Sequence, residues 1–126
     1  MILFDTSVWV AHFAAKSFDL GPFLSAQRVL MHDFVVGELS MGSLSNRATT
    51  IRDLQRLPPV TSVQNEEVLV LIESRRLYAR GIGLIDAHLL ASVLVTPGAE
   101  LRTLDRRLAG LAQDLGVGGL ASDVPS

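Results

Sequence analysis

Four carboxylates stand where their surroundings allow chemistry: Asp5 in ILFDTS, Glu38 in VVGEL, Asp86 in GLIDAHLLA and Asp105 in RTLDRRL. Asp5 closes a short apolar run, with the hydroxyls of Thr6 and Ser7 immediately behind it. Asp105 closes a second such run, two residues after Thr103. Two carboxylates about 4 Å apart repel by around 4 kcal/mol at an effective dielectric of about 20. Convergence of all four therefore demands protonation or a bound cation. Oxygen donors with neither cysteine nor clustered histidine select Mg²⁺ or Mn²⁺ over zinc, and the chain has no cysteine.

A plainer reading competes for each acid taken alone. Aspartate is a preferred helix N-cap, so Asp5, Asp86 and Asp105 can each satisfy loose amides at a helix start. Glu38 lies within the apolar surroundings of FVVGEL, where an uncompensated carboxylate is costly. The histidines offer little: His12, His32 and His88 have no metal-ligand spacing, and His88 lies two positions beyond Asp86, on another side of its helix. Trp9 and Tyr78 sit among apolar helix positions and read as core or interface.

The elements that must position these groups alternate along the chain. ILF, RVLM, ELRTL and VGGL read as strands. Helical patterns cover SVWVAHFA, DLGPFLSAQ, FVVGELSMG (capped by Asp33), NRATTIRDLQRL, IDAHLLASVLV and RRLAGLAQDLG. Pro58 and Pro59 end the fourth of these, and VTSV follows as a brief extended piece. VQNEEVLVLIESRRLYARG reads as the longest helix, with Gly81 as its C-terminal cap. Strands alternating with helices predict a three-layer α/β domain around a mostly parallel sheet of four to five short strands. In such sheets ligands bind beyond the carboxyl ends of the strands, and that is where Asp5 and Asp105 fall.

Length and composition agree with one domain over residues 1–126, with a frayed tail from about residue 119. The net charge is −2 and 48% of residues are hydrophobic. No basic field covers the whole chain, yet ten of the eleven basic residues are Arg and only Lys16 is Lys. The N-terminal apolar run is too short for a signal peptide, and AHLLASVLV is far short of the roughly 20 residues that span a bilayer. A cytoplasmic protein is expected.

MILFDTSVW, the glutamate of VVGEL, GLIDAHLLA and RTLDRRL, in this order, resemble the PIN-domain nucleases, and among them the small VapC-type toxins of bacterial type II toxin–antitoxin systems. The likeness runs from Met1 to about Val117. It implies a PIN-like fold and an acidic quartet (Asp5, Glu38, Asp86 and Asp105) that binds one or two Mg²⁺ or Mn²⁺ ions and cuts RNA. It places Ser7 and Thr103 at hydroxyl positions that orient ligands or water. Relatives often carry a further acid shortly after the T-x-D aspartate, where this chain has RRLAG, a departure that bears on the second metal position. The resemblance also implies an inhibitory VapB-like antitoxin and a homodimer, for which the apolar excess of VLVLIE and LLASVLV offers surface.

The expected chemistry follows from the acids themselves. A cation held by Asp5, Asp86 and Asp105 polarises a phosphodiester and lowers the pKa of a bound water, while Glu38 orients that water or holds a second ion. Attack by water leaves 5′-phosphate and 3′-hydroxyl ends. Arg102, Arg106 and Arg107 flank Asp105 and are candidates for RNA phosphate contacts, as is the Arg75, Arg76, Arg80 stripe. Phosphotransfer enzymes of the haloacid dehalogenase type need an acid where Ser7 stands, and response-regulator receivers need an acidic pair and a late lysine, so both fit poorly. The remaining alternative is a catalytically inactive PIN-like module that binds RNA or protein.

Overall fold

The computed structural model describes residues 1–121 and forms a layered α/β fold. The sheet contains β1 (Ile2–Phe4), β2 (Val29–Leu30), β3 (Glu100–Thr103) and β4 (Gly118–Leu120). Its spatial order is β2-β1-β3-β4, with every pairing parallel. The helices are α1 (Thr6–Phe13), α2 (Gly21–Ser25), α3 (Asp33–Ser40), α4 (Arg47–Gln55), α5 (Asn65–Ser74), α6 (Leu84–Val95) and α7 (Arg106–Asp114).

The topology fixes where a site can form. From β1 the chain crosses through α1 and α2 to β2 on one side. It then returns through α3–α6 to β3 on the other side of β1. The connections therefore diverge at the carboxyl ends of β1 and β3, the crevice where open α/β sheets bind ligands. Register aligns Phe4 with Arg102, so Asp5 emerges level with Thr103.

β1 is buried along its whole length, as expected of a central parallel strand. Leu3, Phe4, Leu89, Leu90, Leu101 and Leu108 are fully buried around it. Phe4 packs with Phe18 and Phe23 at ring-centroid distances of 5.8 and 5.1 Å. Gly118 begins β4 where a Cβ would stand 1.8 Å from Leu101 O, so only glycine lets the strands approach there.

Several sequence expectations need correction. The longest helix is α6, not the 63–81 segment, because α5 stops at Ser74. Leu77 is buried, and the chain turns inward to seat it. Its N–H reaches Ile72 O at 2.9 Å, that of Arg76 reaches Glu73 O at 3.3 Å, and Arg76 takes φ +53°. These two bonds form a Schellman cap, with Leu77 as its apolar closing residue. The cap of α3 is His32, whose Nδ1 accepts the Phe34 N–H at 2.9 Å, and Asp33 is the first helical residue. Most of the apolar excess of α6 is internal to the fold, since Ala87 through Val93 are all buried, while Leu84 and Val95 at its ends are exposed. The frayed tail does not begin at residue 119: Gly119 and Leu120 belong to β4, and Ala121 N donates to Thr103 O at 2.8 Å. The SDVPS segment lies outside the described residues.

Candidate active site

Asp5 serves as a helix cap and also stands, buried, at the carboxyl end of β1. It is the N-cap of α1, where its Oδ1 accepts a long bond of 3.4 Å from Val8 N. It is also buried, 6% exposed, in the crevice between β1 and β3. Ser7 Oγ donates to Oδ1 at 2.6 Å and Thr103 Oγ1 donates to Oδ2 at 2.7 Å. Each carboxylate oxygen is therefore held by a hydroxyl, and the side chain is fixed in orientation.

The two hydroxyls also bind the far side of the crevice. Ser7 Oγ accepts from Leu104 N at 3.1 Å, and Thr103 Oγ1 accepts from Asp105 N at 3.0 Å. The turn after β3 is thereby tied to the turn after β1, and Asp105 is carried to the same mouth. Asp105 caps α7, its Oδ1 accepting from Arg107 N at 2.8 Å and from Leu108 N at 3.3 Å. Asp86 lies in the first turn of α6, where Gly83 N donates to its Oδ2 at 3.4 Å.

Glu38 departs from expectation. The apolar stretch FVVGEL buries Val35, Val36 and Leu39, while Glu38 faces solvent on the opposite side of α3. Helical periodicity explains the difference, because the apolar neighbours and the acid occupy different faces. Thr6 Oγ1 donates to Glu38 Oε1 at 2.6 Å. Sequence reasoning misses Thr6 as a holding residue. Its position directly after Asp5 is the available signal, but the partner is 32 residues away.

Electrostatics links the four acids. Burial pushes the Asp5 carboxyl above the usual aspartate range; the Ser7 and Thr103 hydroxyls and the Val8 amide pull it back, and the Asp105 charge pushes it up again. Burial likewise raises Asp86, offset by the Gly83 amide and reinforced by the charges of Asp5, Asp105 and Glu38. Among the described residues, no three His, Asp or Glu side chains close into a ready metal cage. The donors are nevertheless hard oxygens under mutual repulsion, which suits a hard divalent cation.

The arginines separate. Arg102 points to the sheet face opposite Thr103, where Nη2 and Nε bind Glu100 at 3.0 and 3.3 Å and Nη1 reaches Leu120 O at 3.3 Å. Its guanidinium is thus engaged within the fold. Arg106 and Arg107 are exposed at the start of α7, and Arg107 lies against Gly81. Arg75 and Arg76 are exposed at the end of α5, whereas Arg80 pairs with Asp114 at 3.5 Å. Trp9 is core and Tyr78 is 53% exposed. The histidines have local partners: His12 Nδ1 accepts from Leu20 N at 3.0 Å, and His88 Nε2 meets Asn65 Oδ1 at 3.0 Å.

Comparison with known proteins agrees with this architecture. The PIN domain family model matches residues 2–113. Ribonuclease VapC32 of Mycobacterium tuberculosis, from two strains, is 40% identical over 124 residues, covering 98% of this chain and 99% of the relative. The crystal structure of PAE2754 from Pyrobaculum aerophilum superposes with a TM-score of 0.56 at 19% identity, covering 87% of this chain and 84% of that one, and shares the fold. No helix among the described residues is long and apolar enough to cross a membrane. The chain belongs to the PIN-domain family, within its VapC-type branch.

Proposed function

We propose that this chain is the toxin of a toxin–antitoxin pair, a divalent-metal-dependent endoribonuclease acting in the cytoplasm. The observation that carries the reading is the Ser7–Asp5–Thr103 network at the divergence of β1 and β3, with Asp86 under the charge of the other three acids. The name of the Mycobacterium tuberculosis relative supports RNA as substrate.

Asp5, Asp86 and Asp105, with Glu38, would hold Mg²⁺ or Mn²⁺. Bound there, the ion supplies Lewis-acid polarisation of the scissile phosphodiester and a lowered pKa for a coordinated water. Ser7 and Thr103 keep both Asp5 oxygens in one orientation. Thr6 steadies Glu38 at the open rim, where it orients the attacking water. Attack on phosphorus expels the 3′ oxygen, which gives 5′-phosphate and 3′-hydroxyl products. Arg106 and Arg107 hold flanking phosphates.

A partner inhibits by placing Arg or Lys among the four carboxylates. Leu69, Val70 and Val95, each more than half exposed, offer an apolar surface to a second copy. The test is cleavage of total RNA by purified protein with Mn²⁺. Cleavage should be abolished by EDTA and by Asp5→Asn, with 5′-phosphate ends on the products. Finding 2′,3′-cyclic phosphate ends sinks the mechanism. Growth arrest on expression, relieved by the small protein encoded next to this chain, tests the toxin reading.

A further inference from the structure

Beside the four acids lies a groove they do not use. It has a volume of about 580 Å³ and opens between the N-terminal ends of α3, α5 and α6. This size falls within the range of small-ligand clefts. Its lining includes His32, Phe34, Asn65, Leu84, Ile85 and His88. The groove approaches the acidic set along α3, where Phe34 and Glu38 are one turn apart and both exposed. On α6 it is lined by Leu84, Ile85 and His88, on another side of the helix from Asp86.

Three features of the lining ask for a ligand. Phe34 leaves 42% of its surface exposed, although its ring packs against two imidazoles, tilted to His32 at a centroid distance of 5.1 Å and edge-on to His88 at 4.9 Å. His32 is 5% exposed, and its Nδ1 accepts the Phe34 amide. The neutral ring therefore carries its proton on Nε2. That Nε2 is buried with no partner among the described residues. Burial lowers the pKa of His32, against the neighbouring Asp33 charge, which raises it. Asn65 spends its carbonyl oxygen on His88, so its amide offers donors to whatever fills the groove.

We propose that this groove receives one unpaired nucleobase of the RNA, stacked on Phe34 and read through its acceptor atoms by His32 and Asn65. The proposal rests on the ribonuclease reading above for the identity of the polymer. A flat π face wants an aromatic platform, and carbonyl and ring-nitrogen acceptors match the donors present. Phe34, one turn from Glu38 on α3, sets this base near the phosphodiester to be cut. The groove would thus select the cleavage position.

The test is equilibrium binding, in EDTA at low salt, of a labelled uridine octamer and of an abasic octamer with the same phosphates. The wild-type protein should bind the uridine octamer more tightly by roughly 5- to 150-fold, the range for stacking one base. Phe34→Leu keeps the apolar bulk, removes the π face and should abolish most of that difference; Phe34→Trp should preserve it. Asn65→Asp, which suits the first turn of α5, should weaken the uridine octamer more than the abasic one. Equal binding of the two octamers by the wild type, or an unchanged preference in Phe34→Leu, overturns the proposal. So does a Phe34→Leu protein altered only in its oligomeric state. Cleavage with Mn²⁺ is measured separately: its absence defeats the nuclease reading and leaves the base site standing, whereas cleavage without base preference does the reverse.

Discussion

Thr103 Oγ1 donates to Asp5 Oδ2 at 2.7 Å although the two residues are 98 positions apart in sequence. Thr103 is fully buried, at the last position of β3. The parallel pairing of β1 with β3 makes the contact, and the contact in turn fixes the carboxylate beyond β1. Replacement by valine keeps the shape and deletes the donor. Thr103→Val should therefore destabilise the fold by about 1–3 kcal/mol at neutral pH. It should also lower cleavage about 10–100-fold, the usual effect of losing a group that orients a metal-binding residue. Thr103→Ser should retain most of both. Chemical denaturation and initial rates on the same preparations check this, and an unaffected Thr103→Val denies the hydroxyl its role.

The raised pKa values of Asp5 and Asp86 give a pH dependence of definite sign. A carboxyl whose folded pKa lies above its unfolded value binds more protons in the native state through that interval. Its contribution to stability is present below the ordinary aspartate range and is lost as pH rises through the raised value. In EDTA, the Tm of the wild type minus that of Asp5→Asn should fall as pH rises from the aspartate range toward neutrality. Mn²⁺ should stabilise the wild type more at neutral than at mildly acidic pH, since protons compete for the same oxygens. A Tm difference that climbs with pH over that interval contradicts the assigned shift.

Much of the candidate site is legible in the sequence because it depends on chain positions next to strand ends. Asp5 and Asp105 each follow an apolar run, and a parallel sheet places such residues at one edge. The exposure of Glu38 was harder to read, since FVVGEL is apolar in composition and only the helical phase puts the acid on the outer face. The early end of α5 was hidden because Arg75 and Arg76 are good helix formers. What stops the helix is the burial of Leu77, a tertiary demand. Thr6 needed a partner from another helix, and nothing local announces one.

Thr6 offers a separate check on Glu38. Its hydroxyl is 2.6 Å from Glu38 Oε1 at a partly open position, so its loss changes little in the core. Thr6→Val should alter stability by no more than about 0.5 kcal/mol. It should nonetheless reduce kcat by roughly 10-fold, through a less ordered Glu38, and Thr6→Ser should restore the rate. A Thr6→Val protein with wild-type kcat would show that Glu38 needs no such support.

The three arginines around Asp105 should behave differently although they are close in sequence. Arg106 and Arg107 are exposed with no ion-pair partner among the described residues, whereas the Arg102 guanidinium is spent on Glu100 and on the Leu120 carbonyl. For single-stranded RNA, removing one cation that neutralises a phosphate reduces the slope of log K against log salt by about 0.7. Arg106→Ala and Arg107→Ala should each flatten the slope by an amount of that order while leaving stability nearly unchanged. Arg102→Ala should leave the slope alone. Its pair with Glu100 is two-thirds buried on both sides, so its removal should cost stability on the order of 1 kcal/mol. Binding titrations over a range of salt concentrations, paired with thermal melts, separate the two behaviours. If Arg102→Ala flattens the slope as much as Arg106→Ala, the guanidinium must leave Glu100 when RNA binds, and Arg102 joins the phosphate-binding set.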